Sequence, residues 1–246
     1  MSLGLGVGYY GLGGQDMPLF TLTDVGSLSL WLKNDTAVGT AKWEDSSGNS
    51  NHVLQSTEAN RAAVSGGGLD FESSESDHYD LTSSISIGYR GGFCMAIVFQ
   101  RESTQVQAML SDTSNETLQL RGNTTTFRFR TNTGSEGAQN ITTDAVFPAG
   151  TFDSGQKMLF LVNRSIGTSN VFTFMKNGAA LTADTDTSQN EATGENPNGF
   201  DFDTLGAREG ANFFDGIIYE LAFWSKGLST GEIADVNSYL KEIHGV

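Results

Sequence analysis

Short apolar runs separated by dense turn residues dominate this chain, with helical periodicity confined to its end. Ser27-Leu28-Ser29-Leu30-Trp31-Leu32 alternates polar and apolar residues, the period of a strand with one face buried. Phe127 and Phe129 alternate with polar neighbours between Thr126 and Arg130 in the same way. Phe93 to Phe99 reads as another strand, Met158 to Asn163 as one buried on both faces, and Phe213 to Trp224 as a long, partly two-sided one. Ser46-Ser47-Gly48-Asn49-Ser50-Asn51 is a concentrated turn signal. Val171 to Met175 runs into Lys176-Asn177-Gly178, where Asn-Gly predicts a type I′ hairpin and hence antiparallel pairing.

The one convincing helix closes the chain. Ser229-Thr230-Gly231-Glu232 fits a capping box, in which the Ser hydroxyl and the Glu carboxylate satisfy each other's backbone donors. Ile233, Val236, Leu240 and Ile243 follow at helical spacing with Tyr239 beside them, so one stripe can lie on a sheet, and Gly245 supplies the stop. Thr182 to Asn198 is almost devoid of apolar residues and reads as an exposed loop. Residues 2 to 14 repeat Gly and Leu without a helical or strand period. This predicts an N-terminal arm over 1–20, offering Leu3, Leu5, Val7, Tyr9, Tyr10 and Leu12 to a partner surface, ahead of one domain over 21–246.

Composition narrows the function classes. With 14 Lys+Arg against 29 Asp+Glu the net charge is −15, which repels phosphate backbones and anionic headgroups, so neither nucleic acid nor membrane is an expected partner. Sixteen Phe and 37% hydrophobic residues supply a core. No run approaches a membrane span, and the N-terminus lacks the basic and continuous apolar stretches of a secretory signal. Cys94 is the single cysteine, read as a buried packing thiol, so neither an internal disulfide nor a Cys-based zinc site can form within one chain.

Three blocks carry a family resemblance. Leu30-Trp31-Leu32-Lys33-Asn34-Asp35, then Trp43-Glu44-Asp45-Ser46-Ser47-Gly48-Asn49-Ser50-Asn51-His52, Gln55 and Leu69-Asp70-Phe71 form the first. Leu159 to Arg164 through Phe174-Met175-Lys176-Asn177-Gly178 is the second, and Phe214 to Trp224 with Leu228-Ser229 and the helix to Leu240 is the third. Their order resembles the concanavalin A-like lectin/glucanase superfamily, in its laminin-G-like jelly-roll form and most of all the versions in structural proteins of tailed bacteriophages. The resemblance implies an all-β fold, a jelly-roll β-sandwich of two antiparallel sheets with a short C-terminal helix. It does not fix function, because the fold hosts enzymes, lectins, adhesion modules and virion parts.

Candidate chemistry is sparse. Glucanases of the superfamily carry paired carboxylates on one strand; the nearest match, Glu75-Ser76-Asp77 with Asp80, lies in a wholly polar stretch and reads as a surface turn. Glu44-Asp45 reads as a carboxylate that caps turn amides. His52, His78 and His244 are scattered, and no G-x-S-x-G elbow is present. The resemblance implies calcium at a sandwich rim in many members, for which Asp112 and Glu116 are the candidates; no other cofactor is expected. Trp31, Trp43 and Trp224 could stack on sugars but sit in framework blocks and read as core. The sequons at Asn34, Asn115, Asn123, Asn140 and Asn163 matter only in a eukaryotic secretory pathway, against which the missing signal argues. The expectation is a non-enzymatic virion structural, decoration or tail-fibre protein. Its partners would be other capsid or tail proteins in a homo-oligomer or symmetric assembly, on an extracellular particle made in the host cytoplasm. The alternatives are a carbohydrate-binding module reading host surface glycan and, below it, a glycoside hydrolase.

Overall fold

A computed structural model describes residues 20–34, 38–88, 91–112, 116–131, 141–165, 172–183, 185–186, 200–208 and 210–246. The expected arm residues Leu3, Leu5, Val7, Tyr9, Tyr10 and Leu12 lie outside them. Among the described residues one antiparallel sheet has eight strands: β1 (Leu28–Leu32), β4 (Ala63–Ser65), β5 (Gly68–Phe71), β7 (Phe93–Arg101), β12 (Met158–Arg164), β13 (Phe172–Lys176), β14 (Ala179–Leu181) and β17 (Gly216–Trp224). Its order is β14-β13-β12-β7-β17-β5-β4, with β1 also on β17. The other has nine: β2 (Lys42–Trp43), β3 (Val53–Leu54), β6 (Tyr79–Ile87), β8 (Gln107–Ser111), β9 (Thr117–Leu120), β10 (Thr126–Thr131), β11 (Ile141–Val146), β15 (Thr185–Asp186) and β16 (Phe200–Leu205). Its order is β15-β11-β10-β9-β8-β16-β6-β3-β2. The expected two-sheet antiparallel sandwich is therefore present, closed by helix α1 (Thr230–His244).

Two cores explain why β7, β12 and β17 are buried on both faces along nearly their whole length. Phe93, Met95, Ile97 and Phe99 of β7 point between the sheets, where they meet Phe160, Val162, Leu221 and Phe223. Cys94, Ala96 and Val98, with Leu159, Leu161, Ala222 and Trp224, point the other way and are covered by Ile233, Val236 and Leu240 of α1. The helix thus lies on the back of the eight-stranded sheet. Trp31 belongs to this second core, so β1 is buried on both faces rather than half-buried as its alternation predicts.

Local signals are realised as read. The capping box of Ser229 and Glu232 is formed, and Gly245 stops the helix in the left-handed region. Asn177 and Gly178 both have positive φ (50° and 76°), the type I′ requirement, in a hairpin joining β13 to β14. Of the expected loop 182–198, Thr185–Asp186 pairs with Val146 and Ala145 of β11, and residues 184 and 187–198 lie outside the described set. Ile243 departs from expectation: it is 46% exposed, and His244 takes the buried place at the end of the stripe.

Candidate functional site

The nine-stranded sheet has an outer face that no helix covers among the described residues, and its centre is polar. Phe127 and Phe129 on β10 enter the inner core, so alternation turns Arg128 and Arg130 outward. Leu118 and Leu120 on β9 do the same for Gln119. Register pairs Gln119 with Arg128 and Arg128 with Asp144, setting three polar side chains in one row across β9, β10 and β11. Arg128 holds Asp144 through two parallel bonds, Nε to Oδ1 at 2.6 Å and Nη2 to Oδ2 at 2.6 Å. Gln119 is fully buried; its Oε1 accepts a bond from Arg208 Nη1 at 3.5 Å, and its Nε2 has no hydrogen-bond partner. Arg121 continues the ladder beyond β9, its N–H donating to the Thr126 carbonyl at 2.9 Å, and so shares the face of Gln119. Burial, the positive charge of Arg128 and that of Arg208 push its guanidinium below the ordinary value, with Asp144 opposing.

The far side of this face is acidic. Asp80, Thr82 and Ser84 of β6 and Asp203 and Thr204 of β16 line a shallow groove. Burial raises the Asp203 carboxyl, and Asp112, Asp80 and Asp201 add to the rise against the bond it accepts from the Thr204 hydroxyl.

The calcium candidates do come together. Asp112 Oδ1 accepts the Glu116 N–H at 2.7 Å, and Glu116 Oε2 accepts the Asp201 N–H. Both carboxylates are buried, and each binds a backbone amide. The described carboxylates that converge are Asp70, Glu72 and Glu102, whose oxygens lie within 4.8 Å of one another. Burial and the neighbouring Asp215 raise Asp70, and these oxygens could ligate a hard cation. No sequence spacing marks them, because Glu102 reaches Asp70 only through the pairing of β17 with both β5 and β7.

The remaining candidates are structural. Trp31, Trp43 and Trp224 are buried, and none can stack on a ligand from solution. Glu75, Ser76 and Asp77 form a turn with Ser76 at φ 64°, and Asp77 Oδ2 accepts the Glu72 N–H at 2.8 Å. His52 Nδ1 accepts the Asp45 N–H, His78 Nδ1 lies 2.8 Å from the Ser76 carbonyl, and His244 Nε2 lies 2.8 Å from Glu220 Oε2. The arginines of the outer face were not singled out by sequence; the available signal was that Arg121, Arg128, Arg130 and Arg208 are half of the eight arginines in a strongly acidic chain.

With the sandwich and this face in view, comparison with known proteins identifies the fold family. The family model described as the concanavalin A-like lectin/glucanases superfamily, laminin-G type, matches residues 73–234. The chain belongs to that superfamily. No curated protein matches it in sequence. Among solved structures, the binding domain of Paraclostridial Mosquitocidal Protein 1 is similar at 16% identity and TM-score 0.58, over 89% of this chain and 53% of that one. The sialidase of Trypanosoma rangeli is similar at 12% identity and TM-score 0.54, over 89% of this chain and 33% of that one. The chain spans about half of the first and a third of the second, and both likenesses are of fold. No helix of the described residues is long and apolar enough to cross a membrane.

Proposed function

We propose that this superfamily member is a carbohydrate-binding, lectin-like module that reads glycan on the outer face of its nine-stranded sheet. The observation that carries the reading is the pair Arg128 and Asp144 with Arg121 beside it, part-buried hydrogen-bonding groups on a sheet face that no helix covers among the described residues, backed by the buried Gln119 and its bond from Arg208. Such groups orient sugar hydroxyls, and a rigid sheet holds them in place at little entropic cost. The superfamily's description as lectins and glucanases supports the choice of ligand. On the proposed face the Asp144 carboxylate is held by Arg128 rather than poised across a bond, which supports binding over hydrolysis there. The virion-assembly reading depends on residues 1–20, nearly all outside the described set, and no described residue favours it.

A glycan array probed with the whole chain is expected to give specific binding, lost when Arg128 and Asp144 are both replaced by Ala. An array blank with and without calcium would remove the reading, and release of reducing sugar would replace it with the hydrolase.

A further inference from the structure

We infer that the glycan recognised on this face carries a carboxylate, and that Arg121 is the residue that receives it. The inference rests on the carbohydrate-binding reading and names the ligand class for the same site. Acids outnumber bases 29 to 14 in this chain, so an arginine placed at random finds a carboxylate easily. Arg121 does not: its guanidinium makes no hydrogen bond or ion pair among the described residues. Its charged neighbours are Arg128, Arg208 and Asp144, and both oxygens of Asp144 are engaged by Arg128. A half-buried cation beside two others is costly to hold, and an anion bound there relieves both the crowding and the lost hydration. The guanidinium presents paired donors in a plane, the geometry that a carboxylate accepts through two parallel bonds.

The rest of the face limits what kind of anion fits. Asp80 and Asp203 lie on β6 and β16, two to four strands from β9 and β10 and therefore roughly 10 to 20 Å away. They repel a polyanion such as a nucleic acid or a densely sulfated chain, while accepting hydrogen bonds from neutral hydroxyls. An isolated carboxylate on an otherwise uncharged oligosaccharide satisfies both ends. Neutral sugars are usually held by stacking on exposed aromatic rings. Among the described residues the large exposed hydrophobics are Leu54, Val64 and Ile243, none aromatic, and the segments 132–140 and 187–199 contain no aromatic residue in sequence.

The test is calorimetry of the whole chain with 3′-sialyllactose against lactose, which differ only by the acidic sugar, and with cellobiouronate against cellobiose, which differ only by one uronic carboxylate. At least one acidic member is expected to bind ~10-fold or more tightly than its neutral counterpart, weakening as salt is raised. The pair that discriminates identifies the source of the carboxylate. Arg121→Gln is expected to abolish the preference without lowering the melting temperature. Arg121→Lys, which keeps the charge and loses the planar fork, is expected to retain only part of it, and serves alone should Arg121→Gln fail to fold. Equal binding of acidic and neutral sugars, or a preference that survives in both variants, overturns the inference while leaving the carbohydrate reading standing. Absence of binding to any glycan overturns both.

Discussion

Asp45 and Glu44 are adjacent in sequence and opposite in consequence. Asp45 accepts four bonds: Oδ1 from the N–H groups of Trp31 and Ser47, both at 2.8 Å, and Oδ2 from the Ser47 hydroxyl at 2.7 Å and the Asn51 N–H at 3.0 Å. Asn49 and Asn51 then donate to the Leu28 and Ser29 carbonyls, so the turn is stapled to β1. Glu44 only meets Lys42 in solvent at 2.9 Å. Replacing Asp45 by Ala orphans several part-buried donors and is expected to cost about 2–4 kcal/mol in chemical denaturation. Glu44→Ala is expected to leave the midpoint where it was. The residue types of this turn were legible because its bonds are mostly local, whereas its hold on β1 was not, because β1 lies about twenty residues away.

The helix shows what spacing decides and where it stops deciding. From the axis of the stripe Ile233, Val236 and Leu240, positions 243 and 244 lie about 50° to either side at 100° per residue, so periodicity leaves them tied. The tie is broken by Glu220, a carboxylate buried on the back of β17, which accepts the Trp31 indole N–H at 2.7 Å and lies 2.8 Å from His244 Nε2. A buried carboxylate needs polar partners, so His244 turns in and Ile243 is left outside. At the other end, the bond from Lys226, then those from the Ser229 N–H and hydroxyl, hold Glu232 down to about 2, from the usual 4.5. Because the folded value is depressed, this support is complete above about pH 4.5 and fades as pH falls toward 2. Lys226→Met is expected to shift the acid-unfolding midpoint upward, and Ser229→Ala to lose about 1 kcal/mol at neutral pH.

At the scale of the whole molecule, the eight-stranded sheet serves two cores and the nine-stranded sheet serves one, leaving its outer face outside both apolar cores. Cys94 sits in the core beneath the helix, fully buried, and burial pushes its thiol well above the ordinary value. Native protein is therefore expected to resist a disulfide reagent that labels it at once in denaturant; fast native labelling would mean that α1 lifts from the sheet.

Alternation and turn chemistry, which act over a few residues, determined that this chain forms antiparallel strands, a type I′ hairpin and a capped closing helix. The three blocks of family pattern added the sandwich. Which side of each two-faced strand meets the other sheet and which meets the helix was left to packing. So was the meeting of Gln119 with Arg208, 89 positions apart, on one face with Arg121. Only the tertiary structure could assemble that face, because cross-strand register and burial, unlike the local periods, join residues that the sequence keeps far apart.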